Sequence, residues 1–308
     1  MTVDLFERAA TGFRDLADAI VAALEAADPT VRFRRDDWRR DGLGGHPPGP
    51  SGGASLTGFG TTCIVEGGAL LERGGVGFSQ VGGHLSADAP VAMPGEGDRF
   101  RATGVSLVLH PRNPYVPIVH MNYRRIERGG RGWFGGGADL TPCYLNDDDA
   151  RHFHGVLRAV CEGHADVACH TDLKRACDDY FHLPHRDERR GVGGIFFDHL
   201  DSGDGRDLAF VRAAGAAFLE SWLPLASQHR DDPYGERERD WQGMRRGRYV
   251  EFNLLWDRGT TFGLKTGGRI ESILLSMPPE ASWRYDRSPE EGSPEAALVD
   301  VLRTPRSW

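Results

Sequence analysis

This sequence predicts an α+β fold, one large antiparallel sheet flanked by helices in a single domain spanning residues 1–308. Three observations point there. An amphipathic helical pattern opens the chain. Short strand-like runs broken by glycines follow to about residue 142, and helical spacing with isolated apolar runs fills the rest.

Residues 2–27 carry Phe6, Phe13, Leu16, Ile20 and Leu24 at helical spacing, and Asp28-Pro29 ends the pattern, so an N-terminal helix with a core-facing stripe is expected. Residues 42–53 are rich in glycine and proline and read as a flexible loop, too early in the chain to separate two domains. From 55 to 80, runs rich in Thr, Val and Phe alternate with Gly67-Gly68 and Gly74-Gly75, the pattern of antiparallel strands joined by tight turns. Residues 105–109 form a further apolar run, stopped at His110-Pro111, and 115–123 form the next. Asp147, Asp148 and Asp149 then open a helix carrying Phe153, Val156, Leu157 and Val160, with its acidic groups at the positive end of the helix dipole. A second helix is expected over 165–180, a strand over 194–200, one long apolar-faced helix over 207–230, a short polar helix, and a last strand over 249–257.

Lys plus Arg number 37 against 45 Asp plus Glu, a formal net charge of −8, which argues against nucleic acid as a general partner. The five cysteines, at 63, 143, 161, 169 and 177, contain no Cys-x-x-Cys pair; they read as reduced thiols of a cytoplasmic protein. No run of 18 apolar residues and no signal-like N-terminus is seen, so neither a membrane span nor secretion is expected.

Polar chemistry is densest between 104 and 142, where His110, His120, Asn122, Arg124, the triple glycine 135–137 and Asp139 fall together. At strand period two, His120, Asn122 and Arg124 share one face. Burying three such groups without partners would cost ~1–3 kcal/mol each, so this face should line a cavity or meet a ligand. Asp139 has a plainer alternative, a helix cap ahead of Leu140-Thr141-Pro142. Neither Arg124 nor Asp139 belongs to an apolar pattern, so proteins lacking either are expected to fold.

Four motifs, NPYVPIVHMNYR, WFGGGADLTP, YFHLPHRDERRGVGGIFFDHL and RGRYVEFNLLWDRGTTFGLKTGGRIESILLSMPP, resemble in order those of the oxygen-dependent coproporphyrinogen III oxidases. The resemblance runs from about residue 66 to 283 and is weaker before it. It implies an oxidoreductase acting on CH–CH groups with O2 as acceptor, converting two propionates of coproporphyrinogen III to the vinyls of protoporphyrinogen IX with release of CO2 and H2O2. O2 is then a co-substrate, without flavin or iron–sulfur cluster, and a homodimer through about 249–284 is implied. On this resemblance His120, Asp139 and Arg124 are catalytic, with His120 handling protons and Asp139 accepting from pyrrole N–H groups. Ser106, Asn122, Tyr123, Arg124, Gly267, Gly268 and Arg269 contact substrate, the arginines pairing with propionates. His110, His120, His154 and His185 match positions assigned to a divalent metal such as manganese in some relatives; imidazoles set beside substrate carboxylates fit the same positions.

Two other classes use the same residues. A metal-dependent oxygenase would employ the four histidines but leaves Arg124 and Arg269 without a task. A porphyrin carrier would use the arginines and show binding without turnover. The oxygen-independent route to the same product needs a Cys-x3-Cys-x2-Cys cluster motif, which is absent from this sequence.

Overall fold

Alternating apolar and glycine-rich runs can pair with their sequence neighbours, and this chain does so five times in succession. The computed structural model of the protein describes residues 4–41, 56–85, 94–265 and 267–308; the expected loop at 42–53 lies outside them. Strands β1 (Arg34–Asp41), β2 (Leu56–Glu66), β3 (Leu71–His84), β4 (Arg99–Pro111), β5 (Ile118–Arg128) and β6 (Arg131–Thr141) pair in sequence order. A two-stranded hairpin, β7 (His182–Leu183) with β8 (Glu188–Arg189), stands apart, and β9 (Gly193–Leu200) joins β6 as the seventh strand. Every pairing is antiparallel, and with helices flanking the sheet this is the α+β class expected.

Charge hides β1 from a pattern reading, because RRDDWRRD has no apolar alternation. It sits at the sheet edge, where charged side chains discourage pairing with another chain. Gly67, at φ +75°, does turn the chain between β2 and β3. Gly74-Gly75 does not: both lie inside β3, where a Cβ on Gly75 would stand 1.9 Å from Leu275 Cδ2. That glycine is a socket for an overlying side chain, a use of strand glycine that composition cannot distinguish from a turn.

The sheet buries one face in the main core. Helix α1 (Leu5–Ala27) lays Phe13, Ile20 and Leu24 against Val76, Val105, Leu107, Met121 and Tyr123. Its end is tied down by Asp28, whose carboxylate accepts from the Leu70 amide at 2.7 Å. Helix α2 (Asp147–Glu162) is capped by Asn146, which accepts from the amides of Asp148 and Asp149. Helix α3 (His170–Tyr180) begins five residues later than the pattern suggested.

The long helix expected over 207–230 is two, α4 (Arg206–Ala216) and α5 (Phe218–His229). Pro224 inside α5 cannot donate to the Glu220 carbonyl, which instead accepts from His152 Nε2 at 2.9 Å. By length and composition alone the stretch Arg206–His229 passes as long and apolar enough to cross a membrane. Leu208, Phe210, Val211, Phe218 and Trp222 are nevertheless core residues, as in many buried helix pairs.

The strand expected over 249–257 is wrong. Helix α6 (Glu236–Leu255) runs through it, followed by α7 (Arg258–Lys265), α8 (Ile270–Ile273), a 3-10 turn (Leu274–Ser276) and α9 (Pro294–Arg303). Over Tyr249-Val250-Glu251-Phe252-Asn253 alternation is an accident of five residues. The buried set Trp241, Arg245, Tyr249, Phe252 is spaced by four, four and three, and only a helix puts those on one side.

Candidate functional site

Strand parity gives β5 two different faces. Val119, Met121 and Tyr123 enter the main core, while His120, Asn122 and Arg124 point to the opposite side, together as expected. Across that second face Asp36, Thr62, Gly77, Ser106, Asn122, Gly137 and Phe196 stand directly opposite one another through all seven strands. The row on one side includes Gly75, Val108, His120, Asp139 and Gly194; the row on the other includes Gly60, Ser79, Gly104, Arg124 and Gly135. Seven glycines thus fall in these three rows, at 60, 75, 77, 104, 135, 137 and 194. The centre of the face is low and polar, and Ser106 is exposed although its strand lies in the middle of the sheet.

Three small apolar clusters surround that floor. Cys177, Phe181, Leu183 and Phe252, with Tyr180 and Phe196, stand beside β9. Val108, Ile118 and Tyr249 form a second cluster, and Phe100 with Ala102 and Phe262 a third. Helices α7 and α8 and the 3-10 turn are fastened over the β1–β3 side, where Leu275 fills the Gly75 socket, Ser272 Oγ meets Thr62 Oγ1 at 2.9 Å and Arg269 pairs with Asp36.

Asp139 is a strand residue, not a helix cap. Its Oδ1 accepts from His120 Nδ1 at 2.8 Å, and Arg190 Nη2 reaches Oδ1 at 2.9 Å and Oδ2 at 2.8 Å. Both partners of the Asp139–Arg190 pair are 2 % exposed. Burial alone would raise the Asp139 carboxyl; the charge of Arg190 and the bond from His120 outweigh it and hold the carboxyl below its ordinary value. Both oxygens are therefore committed within the protein. Among the described residues Asn122 Oδ1, on the same floor, is a buried acceptor without a hydrogen-bond partner.

Arg124 Nη2 lies 3.3 Å from Asp198 Oδ1, and Arg258 Nη2 lies 3.6 Å from Asp198 Oδ2. The Arg258 guanidinium rests 4.8 Å above the Tyr180 ring. These two cations share one carboxylate beside β9. Arg269 holds Asp36 at the other edge, about 19 Å from β5 at the usual spacing of strands.

Not every expected residue joins this floor. Tyr123 is fully buried on the core face, stacked on Phe197, because its odd parity turns it away from the cleft. Gly267 takes φ +69° and its carbonyl accepts from Arg40, and the Gly268 amide donates to the Gly263 carbonyl, so the glycine pair spends these groups on its own loop. The four histidines go to four different partners. His110 Nε2 bonds the Ser276 carbonyl, His154 Nε2 the Val192 carbonyl, His185 Nε2 the Glu251 carboxylate, and His120 Asp139. Among the described residues no three His, Cys, Asp or Glu are disposed to hold a metal, so this set does not fit the divalent ion implied by the resemblance.

Arg190, Asp198, Asn253 and Arg258 are functional candidates that pattern reading passed over. Arg190 is buried yet sits in the charged run RDERRG, which reads as a solvated turn; its partner Asp139 is 51 residues away. A cleft of about 280 Å³ elsewhere is lined by Tyr115, Tyr144, Asn146, His229 and Arg237, but Tyr144 is bonded to Glu295 and His229 to Asp232.

Asp139→Asn should lower the unfolding free energy at pH 7 by ~3–5 kcal/mol, because it strips Arg190 of its buried counter-charge. A carboxyl held below its ordinary value stabilises above that value, and loses the contribution as pH falls through the folded pKa. The difference between wild type and variant in urea unfolding should therefore narrow toward pH 3. Equal stability at pH 7 would contradict the pairing.

A family model described as coproporphyrinogen III oxidase matches residues 8–308, extending the resemblance upstream of residue 66 to almost the whole chain. This chain therefore belongs to the coproporphyrinogen III oxidase family of haem biosynthesis.

Proposed function

We propose that this family member works with O2, taking coproporphyrinogen III on the polar face of the sheet. In each of two arms –CH2–CH2–COOH becomes –CH=CH2 with loss of CO2, and the two electrons and two protons released reduce O2 to H2O2. The observation that carries this reading is the floor itself. It is an open, glycine-lined surface ringed by apolar clusters, with arginines at its margins and a His–Asp dyad at its side.

Arg124 and Arg258 bind propionate in place of Asp198, and Arg269 does so in place of Asp36, each exchanging one carboxylate for another. Asn122 Oδ1 accepts from a pyrrole N–H, the task first expected of Asp139, whose oxygens are engaged. His120 spends Nδ1 on Asp139, so Nε2 is the nitrogen that faces the reacting arm and handles its proton. The reduced macrocycle supplies the electrons. The cysteines stand at 63, 143, 161, 169 and 177, all as free thiols, at spacings a three-thiolate cluster cannot use, which favours the oxygen-dependent reaction.

Purified protein should convert coproporphyrinogen III to protoporphyrinogen IX in air, with CO2 and H2O2 formed in equal amounts. Arg124→Ala should raise KM by about thirtyfold or more, a loss of ~2 kcal/mol or more when a charge-paired anion loses its partner. Turnover that continues unchanged under argon would overturn the oxygen assignment, and an unchanged KM would remove Arg124 from the substrate site.

The family resemblance over 249–284 also supports a two-fold dimer. Leu254, Leu255, Trp256 and Ile270 in this segment are 49 %, 60 %, 45 % and 55 % exposed, more apolar surface than one loop region commonly leaves to water. Light scattering at micromolar concentration should give twice the chain mass of 33.9 kDa. A monomer mass would contradict this assembly.

A further inference from the structure

We infer that Arg190 is a positioning residue of the site, fixing Asp139 and through it the ring of His120 without itself reaching the substrate. The inference rests on the reading of His120 as the proton-handling group. Arg190 lies in the turn between β8 and β9, yet one arm of its guanidinium, Nη2, holds both oxygens of Asp139 on β6, and the other, Nη1, holds Asn253 Oδ1 on α6 at 2.9 Å. Three aromatic rings confine it. Its central carbon stands 4.0 Å from the Phe181 centroid, 4.5 Å from Tyr249 and 4.9 Å from Phe252.

A buried ion pair that served the fold alone would need no third member, but Asp139 Oδ1 is shared between Arg190 and His120. The sharing has a chemical consequence. Beside a guanidinium a buried carboxylate stays charged and can only accept, so the imidazole facing it must present Nδ1–H, and the lone pair of Nε2 is turned outward. Without that cation the buried carboxyl takes up a proton and donates to Nδ1, placing the ring hydrogen on Nε2 instead. Which nitrogen can accept a proton from the substrate is thus set by an arginine on another strand connection.

Aromatic and apolar neighbours suit Arg190→Met, which removes charge and both arms. Arg190→Lys keeps a charge but has one nitrogen for two partners, and it carries the test should the methionine protein not fold. Nitrogen-15 NMR of histidine-labelled protein should show the His120 ring hydrogen on Nδ1, facing Asp139, in wild type. In the folded variants that signal should give way to the Nε2–H form, completely for Met and partly for Lys. Activity should follow, with kcat down by ~10²-fold for Met and about tenfold for Lys and KM within about twofold, since the propionate contacts are untouched. A folded variant whose His120 signal matches wild type overturns the positioning role. A changed tautomer with unchanged kcat supports the positioning role and removes His120 from the chemistry.

Discussion

A carboxylate and a guanidinium, each 2 % exposed, meet at 2.8 Å between the last strands of the sheet, and neither can be understood alone. Either charge left unpaired in such a place costs several kcal/mol, so the fold must bring β6, the β8–β9 turn and α6 together or leave one of them stranded. Asn253 and the three aromatic rings around Arg190 complete the enclosure. The same carboxylate also accepts from His120 Nδ1, so a requirement of burial holds that ring in place as well.

Separation of duties by strand parity is the second organising fact. Odd positions of β5 pack under α1 and build the main core, and even positions carry His120, Asn122 and Arg124 into the cleft. Because neighbouring strands repeat the division, the functional face can be lined with glycine and polar groups at little cost to the core on the other side. A one-residue slip of register would exchange the two sets, so the core's apolar pattern holds the site in place.

Much of this was legible in the sequence. The α+β class, the meander and the shared face of His120, Asn122 and Arg124 follow from period-two spacing, which is a local property. Long-range pairing is not local. Nothing near Arg190 announces Asp139, and nothing near Asp198 announces Arg124 and Arg258. Tyr123 was misplaced although parity alone excludes it from the cleft face. The false strand at 249–257 shows the converse limit, since five residues are too few to separate a period of two from one of 3.6 when the helix began well before them.

Ser106 offers the most direct test of the central claim, that the open face of the sheet is the tetrapyrrole site. Its side chain is exposed at the centre of the floor and makes no core contact, so Ser106→Trp should fold normally while an indole occupies the cleft. Coproporphyrin, the oxidised and fluorescent form of the proposed substrate, reports occupancy without turnover. The account predicts that Ser106→Trp, with wild-type melting behaviour, loses coproporphyrin binding by more than about tenfold, ~1.4 kcal/mol. A folded Ser106→Trp protein that binds coproporphyrin as tightly as wild type would place the substrate elsewhere and contradict it.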